Sequence, residues 1–221
     1  MILEVRDLSV RPTGPTQLTF STMGGEVIAV RMQDDGASAL LRTLAGFLSG
    51  TWGGIYLDGR DVSHLSYTRR RPYGVEYAHP QRVRGEGTVE RVLYASEIVP
   101  RLRRVPPPDV AIDVFEALPR LSDLRSHRVA DLDAEEAAVV AVGLALATKP
   151  KLLLLDGFAR VLPPDAFREV VLAVRTVAAA EQLTAFVADV ETAPGLGDAG
   201  KDVGFTGAMR GSRRSIDRYF L

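Results

Sequence analysis

With 221 residues, 46% of them hydrophobic, the chain can bury a substantial core, either as one large α/β domain or as a domain carrying a subdomain. A formal net charge of −1 lacks the positive field on which broad nucleic-acid binding relies, and the absence of cysteine excludes a disulfide framework, a thiolate metal site and a thiol nucleophile. Glu4 and Asp7 stand where a secretory signal needs basic residues, and no apolar run approaches the ~20 residues that cross a bilayer, so a cytoplasmic location is expected, with membrane contact only through partners.

Alternating apolar residues at Ile2, Leu3, Val5, Leu8 and Val10, then Leu18 and Phe20, predict short strands before a turn at Gly24 and Gly25. Glu26 to Val30 is apolar enough for a strand buried on both faces, and Ser38 to Phe47 after it has helical spacing. Gly54 to Gly59 predicts a strand ending in a turn, and Val75 to Ala78 another strand. From about residue 85 to 132 the character becomes helical, with Val89 to Val99 and Val110 to Leu118 separated by Pro106, Pro107 and Pro108. An inserted helical subdomain is expected there. Glu135 to Thr148 predicts an alanine-rich helix, Lys151 to Asp156 a central parallel strand, Phe167 to Ala180 a helix, and Leu183 to Val187 a further buried strand. The tail from Gly195 carries too many glycines and arginines for assignment.

The motifs at these positions carry a resemblance. Gly25 to Val30 and Leu40 to Gly46 bracket a loop reading Arg31, Met32, Gln33, Asp34, Asp35, Gly36, Ala37, Ser38, where a phosphate-binding loop would read GxxxxGKS. Gly53 to Val62 and Thr88, Val89 and Glu90 follow in order, then Leu132, Asp133, Ala134, Glu135 and Glu136 at an LSGGQ-like position, then Lys151 to Asp156 at a Walker B-like position. In this order the chain resembles the ATP-binding subunits of ABC transporters over nearly its whole length. The resemblance implies one domain over residues 1–221: a P-loop NTPase, RecA-like α/β core with an N-terminal antiparallel β subdomain and an inserted helical subdomain.

It also implies which residues to inspect. Gly36 and Ser38 match the loop pattern, whereas Ala37 stands at the lysine and Arg31 at the first glycine. Asp34 and Asp35 would each repel a phosphate charge ~5 Å away by roughly 3 kcal/mol at an effective dielectric of 20; alternatively they form a solvated turn that caps the following helix. Asp156 matches the magnesium-associated aspartate, but Gly157 stands where the family has its water-polarising glutamate, and Ala188 at the expected switch histidine. No aromatic residue lies near Arg11, Pro12 and Thr13, where relatives stack adenine. The Q-loop glutamine falls on Ala78 or Gln81, with Gln81 as the weak assignment. Asp133 and Glu136 make a capping-box pattern, a structural reading favoured over a phosphate-facing one. His64, His79 and His127 have no ligand spacing and read as surface or loop residues, and the runs Arg69, Arg70, Arg71 and Arg101, Arg103, Arg104, with Arg213 and Arg214, as solvated faces.

The expectation is therefore a catalytically degenerate ABC-type ATPase subunit, not an enzyme, acting as a structural or regulatory partner of another ABC ATPase-like subunit, a membrane permease, or both. No catalytic residue and no cofactor are expected, beyond weak Mg-ATP at most and residual magnesium at Ser38 and Asp156. The alternatives are an ATP-binding subunit with weak or partner-assisted hydrolysis, in which Arg31 substitutes for the lysine, and a soluble scaffold outside transport.

Overall fold

A computed structural model describes residues 2–10, 17–30, 32, 35–49, 52–83, 85–96 and 113–188, together with the backbone of 216–219. The N-terminal strands β1 (Leu3–Ser9) and β2 (Leu18–Thr22) join β4 (Trp52–Leu57) and β5 (Arg60–Asp61) in an antiparallel sheet of order β2-β1-β4-β5. Between Val5 and Leu8 the pairing of β1 with β2 slips, and Asp7 there takes a positive φ of 49°. This bulge lets the Asp7 N–H leave the ladder and donate to Thr19 Oγ1 at 2.8 Å.

The second sheet has the order β6-β7-β8-β3-β9, built from β3 (Glu26–Val30), β6 (Val75–Ala78), β7 (Leu152–Leu155), β8 (Thr184–Ala188) and β9 (Ile216–Tyr219). Its first four strands are parallel, and β9 lies antiparallel to β3 as an edge that the tail's composition did not announce. Because side chains alternate across a strand, Leu153, Leu155, Val27, Ala29, Ala185 and Val187 enter one core, and Leu152, Leu154, Ile28, Val30, Phe186 and Ala188 the other. A run of four leucines therefore feeds two cores at once, each fully buried side chain stabilising by about 1.5–3 kcal/mol.

Helices α6 (Ala134–Ala147) and α7 (Pro164–Glu181) cover the first face, while α1 (Gly36–Ala45) and the antiparallel sheet cover the second. The arrangement places the carboxyl ends of β3, β6, β7 and β8 beside the N-terminus of α1, the usual position for a site in parallel α/β sheets. The inserted segment holds α3 (Val89–Ser96), α4 (Val114–Ala117) and α5 (Pro119–Asp123), and its ends are tied by the Val89 N–H, which donates to the His127 carbonyl at 2.9 Å. The helix expected over Val110 to Leu118 is shorter: Asp113 caps its start and Pro119 opens a new helix, so the two do not merge.

The arginine run at 69–71 is not a solvated face throughout. Arg70 closes α2 (Tyr67–Arg70) and is 1% exposed, and its guanidinium donates to the carbonyls of Thr43 (2.8 Å), Leu44 (2.7 Å) and Ser63 (3.0 Å). Burial pushes its pKa down to about 10. A cation on the last carbonyls of α1 suits the helix dipole, and Gly46, at φ 91°, ends that helix where an added Cβ would lie 2.7 Å from the Leu65 carbonyl oxygen. Arg71 instead pairs with the buried carboxylate of Glu76 at 3.1 Å. The other arginine runs, at 101–104 and 213–214, lie outside the described residues.

Candidate functional site at the carboxyl ends of the parallel strands

The site is assembled from the residue after β7, the first turn of α1 and the end of β6. Asp156 is 2% exposed, and its N–H donates to the Ala78 carbonyl across the parallel pairing of β6 and β7 at 3.1 Å. Ser38, in the first turn of α1, donates from Oγ to Asp156 Oδ2 at 2.7 Å. The Tyr77 hydroxyl donates to the same oxygen at 2.5 Å. Burial, reinforced by this bonded carboxylate, pushes the Tyr77 hydroxyl far above the ordinary phenol range, so the tyrosine stays a neutral donor. A buried carboxylate is thereby supplied with two hydrogen bonds from within the chain.

Ala37 is 1% exposed and packs in the core beneath α1. Gly36 is also buried as the first residue of the helix. Asp35 occupies the N-cap position, but its side chain makes no capping hydrogen bond; its carbonyl accepts from the Ala39 N–H at 2.9 Å. The expected side-chain cap is therefore absent at Asp35, because the carboxylate turns outward to Arg160 at 3.4 Å, with three-quarters of the aspartate side chain exposed. Arg31, Gln33 and Asp34 lie outside the described residues, as do Arg11, Pro12 and Thr13. Ala188 ends β8 fully buried.

Gly157 takes a φ of 77°, and a Cβ built there would stand 3.0 Å from His79 Nε2. His79 is thus not an ordinary surface histidine: it is half-buried, directly across from Gly157, and its Nδ1 accepts from the Gln81 N–H at 3.2 Å. That bond assigns the proton of the neutral ring to Nε2, on the side facing Gly157. Burial holds the imidazole below its usual pKa, with Asp156 opposing and Arg82, Arg160 and Arg42 assisting. His64 and His127 are exposed, as expected. Gln81 is exposed in the short turn Pro80–Arg82, whereas Ala78 is the residue of β6 that pairs with Leu155 beside Asp156.

Leu132, Asp133, Ala134, Glu135 and Glu136 form the start of α6. Asp133 Oδ1 accepts from the Glu136 N–H at 2.8 Å, and Glu136 Oε2 accepts from the Asp133 N–H at 3.0 Å, which closes the capping box. Arg120 bridges Glu135 and Glu169 at 2.6 Å each. Every carboxylate of this turn has a partner in the chain.

The resemblance assigns the stretch Tyr77 to Arg84 to a permease-facing surface, and sequence reasoning does not bring Tyr77, His79 or Arg82 to the site at Asp156. Arg82 lies with its guanidinium 4.3 Å from the Phe47 ring centroid and 5.0 Å from that of Tyr77. The alternation in Val75 and Tyr77 places both on one face of β6, which was a signal for Tyr77, but nothing local in the sequence reports what that face meets. Among the described residues there is no cluster of three metal-ligating side chains. Ser38 and Asp156 are the oxygen donors that suit a hydrated magnesium ion by type, and because the Ser38 hydroxyl keeps its oxygen lone pairs while it donates to Asp156, the bond between them is compatible with a metal there.

No family model matches the chain. It is 33% identical over 123 residues to a spermidine/putrescine import ATP-binding protein of Haemophilus ducreyi, covering 55% of this chain and 32% of that protein. It is 30% identical to a sulfate/thiosulfate import ATP-binding protein of Methylococcus capsulatus over 71% of this chain and 46% of that one. An energy-coupling factor transporter ATP-binding protein of Oenococcus oeni matches at 27% identity, over 83% of this chain and 68% of its own length. The chain spans less than half the length of the import proteins. Among solved structures, a putative ABC transporter ATP-binding protein from Pyrococcus furiosus superposes with a TM-score of 0.66 at 18% identity, covering 86% of this chain and 92% of that one. A subunit of the ABC transporter complex cbiONQ of Clostridium perfringens gives 0.64 at 20% identity, covering 87% and 80%. The fold is that of an ABC ATPase cassette, an α/β P-loop NTPase fold with an antiparallel sheet and a helix-flanked parallel sheet. The chain's curated homologues are ATP-binding subunits of ABC transporters.

Proposed function

We propose that this chain is a non-hydrolysing subunit with a cassette fold, serving a structural or regulatory role beside another ABC ATPase-like subunit or a membrane permease. The observation that carries the reading is the set of residues around the Asp156 knot, in which Ser38 and Tyr77 donate to one carboxylate oxygen and neither a phosphate-binding cation at 37 nor a base at 157 is present. Around the knot, residue 37 is a buried alanine in place of a cation that could meet phosphates. Residue 157 is a glycine that offers no general base, and the ring of His79 stands where a side chain there would begin. At the start of α6, the capping box and Arg120 give the acidic residues a structural employment that needs no nucleotide.

None of the helices among the described residues is long and apolar enough to cross a membrane, which fits a cytoplasmic chain that meets the membrane through a permease. The named activities of the homologues make a transport complex the natural setting. Steady-state ATPase assays on the purified chain test the proposal: no phosphate release above a no-protein control is expected with magnesium and millimolar ATP, and turnover that depends on Asp156 would overturn it.

A further inference from the structure

The inserted segment leaves the core and returns to it through one neck. There the Val129 N–H donates to the Gly87 carbonyl at 3.0 Å, the Val89 N–H to the His127 carbonyl at 2.9 Å and the Glu90 N–H to the Arg125 carbonyl at 3.1 Å, with Thr88 and Arg128 paired as an antiparallel bridge. An ion pair between Glu90 and Arg125 at 3.1 Å adds a side-chain clip. Gly87 takes a φ of 103°, a left-handed conformation that glycine adopts without steric cost. The two strands of the neck are thus pinned to each other, and a permissive residue stands where they join the core.

Beyond the neck, α5 meets the core through two adjacent residues of opposite character. Leu121 is fully buried against α6, so close that a Cβ on Gly143 would lie 2.5 Å from its Cδ2. Glycine disfavours a helix interior, and this close approach explains its place in the middle of α6. Leu118 and Leu124 join the same core on either side. Burial of this kind is non-directional and allows helices to slide on each other. Arg120 supplies direction: Nη1 donates to Glu135 Oε1 on α6 and Nε to Glu169 Oε2 on α7, at 2.6 Å each. The planar guanidinium fixes the angle between the two bonds, so a shift of α5 along either core helix lengthens one of them.

We propose that Arg120 is a latch that holds the inserted segment in one orientation on α6 and α7, and that the segment shifts about its neck when the guanidinium leaves the two carboxylates. A single exposed ion pair contributes little, but here one cation joins three helices, two of them in the core and one in the segment. The proposal concerns the orientation of the segment and stands whether or not the chain hydrolyses ATP.

The chain contains no cysteine, so spin labels at Ser122→Cys on α5 and Thr176→Cys on α7, both exposed, report the distance between segment and core by pulsed electron spin resonance. One narrow distance distribution is expected for the labelled chain. Arg120→Gln, and separately the pair Glu135→Gln/Glu169→Gln, should each widen it at least about 1.5-fold, and all three changes together should widen it no further, because they remove the same bonds. Sodium chloride at about 1 M, where the screening length falls to about 3 Å, should widen the distribution with no substitution at all. Arg6→Gln, which removes an exposed ion pair on the antiparallel sheet, should leave it narrow. An unchanged width in Arg120→Gln or in salt would show that apolar packing alone fixes the segment, and would overturn the proposal. Widening in Arg120→Gln without widening in the glutamate pair would make Arg120 a packing residue and overturn it too, as would widening in Arg6→Gln or further widening on combination, which would signal general loosening.

Discussion

The N-termini of α1 and α6 are treated by the same chain in opposite ways. At α6, side chains close both ends of a capping box between Asp133 and Glu136, and Arg120 neutralises the remaining Glu135. At α1, the N-cap aspartate makes no side-chain bond to the helix, and the polar group that organises the turn is a distant one, Asp156, reached through Ser38. The α6 start is locally self-sufficient. The α1 start depends on tertiary contact, and its integrity is tied to β6 and β7 through Tyr77 and Asp156. Local capping is expected to tolerate changes elsewhere in the molecule; the knot is expected to transmit them.

The largest effect is predicted for Gly157→Glu, which supplies the carboxylate that the family resemblance places there. Left-handed backbone strain of ~1–2 kcal/mol and displacement of His79, worth ~1–3 kcal/mol as overpacking, should together destabilise the chain by roughly 2–5 kcal/mol in denaturant unfolding. A variant as stable as the natural chain would show that His79 and the Gly157 backbone yield freely. Next, Tyr77→Phe leaves the ring in place but removes one donor from a buried carboxylate, for an expected loss of about 1.5–3 kcal/mol. A change within a few tenths of a kcal/mol would mean that the knot does not organise the end of β7.

A smaller contrast separates the two helix starts directly. Asp133→Ala should cost about 1 kcal/mol by opening the capping box, whereas Asp35→Ala removes only an exposed ion pair and should cost under about 0.5 kcal/mol. Equal losses would erase the distinction between them. The smallest effect is a pH dependence at His79. Its folded pKa lies below the unfolded value of 6.5, chiefly through burial, so the neutral ring is favoured in the fold. Its contribution is fully present above pH 6.5 and is lost as the pH falls below that value, where the unfolded chain takes up the proton first. His79→Gln should therefore flatten the slope of stability against pH in this window, and an unchanged slope would assign the acid sensitivity to other groups.

Much of the architecture was legible in the sequence because it rests on local pattern. Val75 to Ala78 and the leucines 152–155 form strands as their apolar runs indicate, and the capping box at Asp133 is a four-residue motif whose partners are fixed by helix geometry. The features that escaped notice are set by residues distant in sequence. Arg70 sits in an arginine run that reads as solvated, and only the carbonyls of Thr43, Leu44 and Ser63 explain its burial. His79 lacks any ligand spacing because its neighbour is Gly157, brought close by the pairing of β6 with β7. Asp35 has the right residue type for a side-chain cap and yet turns to Arg160, a contact across the sequence that outranks the local preference. For the candidate site, Ser38 and Asp156 were both singled out by motif position. Their direct hydrogen bond and its third member, Tyr77, became visible only in three dimensions.

The central proposal is that the Asp156 knot and its surroundings take up Mg-ATP weakly at most and do not hydrolyse it. Calorimetric titration of the purified chain with millimolar Mg-ATP, beside the variant Ala37→Lys with Asp34 and Asp35 changed to asparagine, tests it most directly. The account predicts at most a weak heat without saturation for the natural chain, whereas micromolar binding by that chain would contradict it and make the site a functioning nucleotide receptor.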